Sequence, residues 1–146
     1  MEIVKMDLCH ASQVAELEKQ CFSDPWSLNA VTGEITNPLS LWLVALDGEK
    51  VIGYIGSQSV LGEADMMNLA VCPDSRGNGV GQALVQALVD ALVGVGVYRL
   101  TLEVRVSNTP AIRLYEKLGF QTIGRRPNYY YHPKEDALIM GKELPA

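Results

Sequence analysis

The sequence predicts an α/β fold built on a mixed, mostly antiparallel sheet with helices packed against it. Apolar residues recur at helical spacing in some segments and alternate with polar ones in others, so both element types are present. The elements run strand, two helices, three strands, helix, strand, helix, two strands, which fits neither a bundle nor a regular βα alternation. A long helix separates the strands at 66–71 and 100–106, and such a crossover makes the two strands parallel.

Residues 1–7 read as a short strand, and residues 12–22 as a helix with Val14, Leu17 and Cys21 on one face. A second short helix follows Ser23-Asp24-Pro25-Trp26, where Ser23 or Asp24 can cap and Pro25 suits a first turn. Runs of β-formers at 41–46 and 51–60 flank Asp47-Gly48-Glu49-Lys50, whose Asp-Gly pair tolerates a tight hairpin turn. A turn at Gly62-Glu63 leads to a third strand at 66–71, ended by Pro73, which has no N–H to donate.

Residues 79–95 read as a helix whose polar positions, Gln82, Gln86, Asp90 and Gly94, form one narrow stripe, so its other faces should be buried. Leu100, Leu102, Val104 and Val106 alternate with Thr101, Glu103 and Arg105, which turns Glu103 away from the core. Asn108-Thr109-Pro110 opens the last helix and Gly119 closes it. Two short strands, at 121–124 and 137–142, complete the chain.

Composition bounds the function. The chain has 146 residues, 48% of them apolar, enough for a single domain over 1–146 with a real core, and no repeat or linker divides it. Twelve Lys plus Arg against seventeen Asp plus Glu leave a net charge of −5, which argues against direct nucleic-acid binding. The N-terminal residues lack the pattern of a signal peptide. The most apolar stretch, 83–97, is broken by Gln86 and Asp90 and is shorter than the roughly 20 residues of a membrane span, so no membrane partner is expected. Cys9, Cys21 and Cys72 form no CxxC pair, so neither a disulfide framework nor a metal site is expected, and the reading is a cytoplasmic protein. His10 and His132 read as surface or loop residues, and Cys72 as a small apolar filler.

The strongest chemical signal is Arg76-Gly77-Asn78-Gly79-Val80-Gly81, directly after a strand and directly before a helix. Glycines let a phosphate approach the backbone, and the free N–H groups and dipole of the helix start attract it. A triphosphate-binding loop would end Gly-Lys-Ser/Thr, whereas this one ends Gly81-Gln82-Ala83. A dinucleotide fingerprint would place its third small residue one position later, and a meander does not suit a doubly wound sheet.

The same six residues match the Q/R-x-x-G-x-G/A motif of the GNAT acetyltransferases, and Asn68-Leu69-Ala70-Val71 resembles the family strand before it. Leu102-Glu103-Val104-Arg105, Ser107-Asn108, Leu114-Tyr115-Glu116-Lys117-Leu118-Gly119-Phe120 and Arg125-Arg126-Pro127-Asn128-Tyr129-Tyr130 extend the resemblance toward the branch that modifies ribosomal-protein N-termini. The resemblance implies a V-shaped acetyl-CoA cleft between the strands at 66–71 and 100–106. Leu69, Ala70 and Val71 would pair with the pantetheine arm, and Arg76, Gly77, Asn78, Gly79, Val80, Gly81 and Gln82 would hold the pyrophosphate. Asn108 would bond the arm from the other side, besides capping its helix.

Glu103 is then the candidate base that frees the amine, as opposed to a plain solvated carboxylate, and Tyr115 the candidate acid for the departing thiolate, as opposed to a packing residue. Tyr129, Tyr130 and Tyr131 either fill a strand or shape a peptide groove. The implied reaction is acetylation of the N-terminal alanine of a small-subunit ribosomal protein by direct attack. Acetylation of a polyamine or antibiotic, and acyl-CoA binding without turnover, are the alternatives.

Overall fold

The computed structural model describes residues 1–145. Its seven strands are β1 (Glu2–Lys5), β2 (Ser40–Asp47), β3 (Lys50–Val60), β4 (Glu63–Val71), β5 (Arg99–Arg105), β6 (Gln121–Tyr131) and β7 (Lys134–Glu143). They form one sheet in the order β1-β2-β3-β4-β5-β7-β6, antiparallel at every pairing except β4 with β5. The helices are α1 (Ala11–Cys21), α2 (Leu28–Thr36), α3 (Val80–Gly94) and α4 (Thr109–Lys117).

Strand alternation divides the core in two. Leu43, Ala45 and Ile55 face α3 and α4, whose Leu84, Leu88 and Tyr115 bury against them. Trp42, Val44 and Tyr54 point the other way, onto Val14, Leu17 and Val31 of α1 and α2. On α3 the exposed residues include Gln82, Gln86, Asp90 and Gly94, the stripe expected from the sequence, while Leu84, Val85, Leu88 and Val89 are buried. A methyl group at Gly56 would lie 2.3 Å from the Trp42 ring, so this glycine admits the indole, which stacks on Tyr54 and meets Trp26 at a tilt of 59°.

Three expectations change. Helix α2 is capped by Ser27, whose hydroxyl accepts from Ala30, rather than by Ser23 or Asp24, and Pro25 precedes it. Trp26 explains the delay: its backbone N–H donates to Glu18 and its ring packs on Trp42, which keeps residues 22–26 out of the helix. Strand β4 begins three residues early, because a turn with positive φ at Leu61 and Gly62 pairs Glu63 directly with Val60. The closing strands are much longer than expected, and residues 125–131 belong to β6. Pro127 is tolerated there because β6 is an edge strand. The register jumps between Arg126 and Tyr130, and the bulge is held by Asp136, which accepts from Arg125 Nε and Asn128 N–H, both at 2.8 Å.

Candidate active site at the split between β4 and β5

The parallel ladder joining β4 and β5 covers only four pairs, from Glu63 with Arg99 to Met66 with Leu102. Opposite Gly56 and Ser57 the β3–β4 register shifts at Met67, and a bulge there increases local twist. Beyond it β4 stays paired with β3 and β5 with β7, but no longer with each other. A cavity of about 610 Å³ occupies this divergence.

The open edge of β4 has a defined polarity. Cys72 N–H donates to Ile52 on β3, so Ala70 also faces β3, whereas the N–H groups of Leu69 and Val71 face the opening. On the same edge the Val71 carbonyl accepts from Arg76 Nε at 3.1 Å. Arg76 therefore folds back along β4, with its other end 3.5 Å from Cys21 Sγ.

The loop after β4 enters α3 through two left-handed glycines, Gly77 (φ 83°) and Gly79 (φ 79°). No atom stands within 4 Å of a Cβ built at either one, so backbone conformation demands glycine there and the space beside the loop is free. The first helical acceptor is Gly79 C=O, taken by Ala83 N–H, and no side chain caps the helix. The N–H groups of Val80, Gly81 and Gln82 thus have no acceptor within the helix. Asn78 ties the loop to Ser75 C=O, and Gln82 Oε1 receives Lys117 Nζ at 3.1 Å. At Gly81 a Cβ would make only ordinary contact with Leu114 and Val71, so packing there does not itself require glycine.

Glu103 and Tyr115 line the same cavity, as do Leu69 and Asn108. Strand alternation buries Leu102 and Val104 and leaves the Glu103 carboxyl on the other face, 27% exposed. Tyr115 is buried against Phe120, with ring centroids 5.7 Å apart. Burial, and secondarily Tyr130, push its hydroxyl above the ordinary tyrosine value, so it keeps its proton at neutral pH. Asn108 caps α4 by accepting from Ala111 N–H at 3.3 Å, which leaves its side-chain amide donors available. Arg76, Gly77, Asn78, Gly79, Val80, Gly81 and Gln82 lie outside this cavity, on the loop that leaves the end of β4.

Another wall of the cavity is formed by Phe22, Ser23, Asp24 and Trp26 and by the β6–β7 hairpin. Tyr129 and Tyr130 line the cavity, while Tyr131 is exposed. The Arg105 guanidinium lies 4.2 Å from the Tyr130 ring, pairs with Glu135 and donates to Pro133 C=O at 2.8 Å. Burial is the main cause that lifts the Tyr130 hydroxyl to about 12. His132 reaches the cavity mouth, 4.0 Å from Asp24.

One residue escaped the sequence reading. Glu18, fully buried on α1, takes the Tyr54 hydroxyl, Asn68 Nδ2 at 2.9 Å and Trp26 N–H at 2.8 Å. It thereby ties the segment at Trp26 to β3 and to β4 beside the opening. A glutamate in Ala15-Glu16-Leu17-Glu18-Lys19 looks like helix surface, and its only sequence signal is its place beside Val14, Leu17 and Cys21 on the buried face.

Comparison with known proteins agrees with this geometry. The acetyltransferase (GNAT) family model matches residues 11–120. A Salmonella typhimurium protein named [ribosomal protein bS18]-alanine N-acetyltransferase is 41% identical over 128 residues, covering 86% of this chain and 85% of its own. The protein of that name in Haemophilus influenzae is 35% identical over 94% of this chain and 95% of its own. The crystal structure of the ribosomal-protein-S18-alanine N-acetyltransferase from Escherichia coli superposes with a TM-score of 0.91 at 34% identity, covering 99% of this chain and 94% of that one. By fold, by motif and by these matches, the chain belongs to the GNAT family of acetyltransferases.

Proposed function

We propose that this enzyme transfers the acetyl group of acetyl-CoA to the N-terminal alanine of ribosomal protein bS18, acting in the cytoplasm as one domain over its whole length. The observation that carries the reading is the convergence of Glu103, Tyr115 and the open edge of β4 on one cavity. Relatives at 35–41% identity named for that reaction support the choice of acceptor.

In this reading the thioester lies along the open edge of β4. The N–H groups of Leu69 and Val71 pair with the pantetheine arm, and one of them polarises the thioester carbonyl and stabilises the oxyanion that forms on attack. Ala70, whose own N–H turns to β3, spaces these two donors. The free N–H groups of Val80, Gly81 and Gln82 at the start of α3, with the Gly77-Asn78-Gly79 backbone before them, receive the pyrophosphate, and Asn108 closes the arm from the α4 side. Arg76 acts by holding the Val71 carbonyl and shaping the edge.

Glu103 takes a proton from the incoming ammonium, directly or through a water, because a protonated amine has no lone pair with which to attack. Collapse of the tetrahedral intermediate breaks the C–S bond, and the Tyr115 hydroxyl supplies the proton to the leaving sulfur. An α-amine, with a pKa of roughly 8 against about 10.4 for lysine, needs only this modest base.

Incubation with acetyl-CoA and a peptide beginning Ala-Arg-Tyr-Phe, read by mass spectrometry, tests the proposal. The expected product carries one acetyl group on the first residue, formed at least about tenfold faster than on the same peptide with a blocked N-terminus and an internal lysine. Equal rates on both, or modification of a polyamine alone, would overturn the acceptor assignment.

A further inference from the structure

Glu103 has a counter-ion. Arg126 on β6 reaches across β7 and sets its Nε 3.4 Å from Glu103 Oε1. The registers explain why: Glu103 stands opposite Ile139 and Arg126 opposite Ala137, two residues apart on β7, so both side chains leave the same face of the sheet. The Arg126 guanidinium also lies 5.7 Å from the centre of the Tyr129 ring, which lines the cavity.

The two arginines on this face differ in how they are held. Arg105 is locked by Glu135, by the carbonyls of His132 and Pro133, and by the Tyr130 ring, which makes it a clasp for the hairpin. Arg126 has the Glu103 pair and a longer aromatic contact, and its side chain is 55% exposed. A pair this open to water is weak and exchanges readily.

We infer that Arg126 is a specificity-determining residue that reads the carbonyl group next to the acceptor amine. While no acceptor is bound, Arg126 occupies Glu103. The arriving ammonium displaces it, and the released guanidinium turns its N–H donors to the acceptor's first carbonyl oxygen. The geometry of an N-terminal residue suits this exchange, since its own carbonyl oxygen lies about 3 Å from its amine. Both new contacts therefore form within the space of the old ion pair. A polyamine offers a second cation in place of the carbonyl, which Arg126 and Arg105 together repel. The inference rests on the N-terminal reading above and adds the residue that enforces it.

The test compares kcat/KM for the Ala-Arg-Tyr-Phe peptide and for spermidine, measured by release of CoA thiol from the full chain. Wild type, Arg126→Gln and Arg126→Lys are assayed side by side with their melting temperatures. The expected result is a fall in the peptide-to-spermidine ratio of at least tenfold for Arg126→Gln, mostly through a higher peptide KM. Arg126→Lys, which keeps the charge and loses the planar fork, should fall between. A ratio within threefold of wild type, or equal losses on both acceptors, would overturn the inference. Wild type that favours spermidine would instead overturn the N-terminal reading itself.

Discussion

Residue by residue, the site separates the proposed base and the proposed acid by environment. Glu103 is on the polar face of β5 at the wall of the opening, whereas Tyr115 is buried on α4. Glu103→Gln should leave acetyl-CoA affinity intact and slow turnover by roughly a hundredfold, with the deficit shrinking at higher pH as more amine is already neutral. Wild-type turnover at neutral pH would return Glu103 to a plain strand carboxylate. Tyr115→Phe should lower the single-turnover rate by about ten- to a thousandfold with the melting temperature nearly unchanged, since the ring packing on Phe120 survives. The raised Tyr115 value has a definite sign: the proton is retained to higher pH, so this group should cause no alkaline loss of activity below about pH 10. A single-turnover rate matching wild type would mean that the thiolate leaves without this proton.

At the scale of elements, the loop into α3 and the β6–β7 hairpin make opposite demands. Gly79 sits at φ 79° in open space, so Gly79→Val adds strain of about 1–2 kcal/mol and places a branched side chain where a phosphate would approach. Calorimetric titration should show acetyl-CoA binding weaker by about 2 kcal/mol or more, and unchanged affinity in a folded variant would remove the pyrophosphate from this loop. The hairpin depends on two carboxyls held below their ordinary values, Glu135 chiefly by Ser107 and then Arg105, Asp136 chiefly by Asn128 N–H and then Arg125. Groups depressed in the folded state stabilise it above their unfolded values, and that contribution is lost as pH falls through the folded ones. Amide exchange in β6 and β7 should therefore rise selectively below about pH 4, before the core of the sheet opens. Protection that is uniform across all seven strands down to that pH would contradict this.

At the scale of the whole molecule, the sheet is two blocks, β1–β4 and β5–β7, joined by four residue pairs and by α3. A ligand that bridges the open edges adds the contacts that the ladder lacks. CoA at about a hundredfold over its Kd should stabilise the fold by roughly 2.7 kcal/mol, or roughly 5–10 °C in melting temperature. A melt insensitive to CoA would sink the assignment of the split to the donor.

Features whose cause lies within a few residues are legible in the chain alone. The left-handed φ at Gly119, the Asn108 cap, the alternation that turns out Glu103 and the polar stripe of α3 all depend on local chain geometry, and each appears where the sequence puts it. Tertiary structure decided whatever depends on partners distant along the chain. Glu18 is buried because Tyr54 and Asn68, 36 and 50 residues away, bring donors to it. Arg126 meets Glu103 because β7 inserts between their strands with one particular register. The cap of α2 shifted to Ser27 because Trp26 was drawn under the sheet, and β6 runs through Pro127 because no described strand pairs with its outer edge. Local rules specify which elements form and which side chains they expose; which of those side chains meet is set by strand order and register, and these are chosen by the burial of the core as a whole.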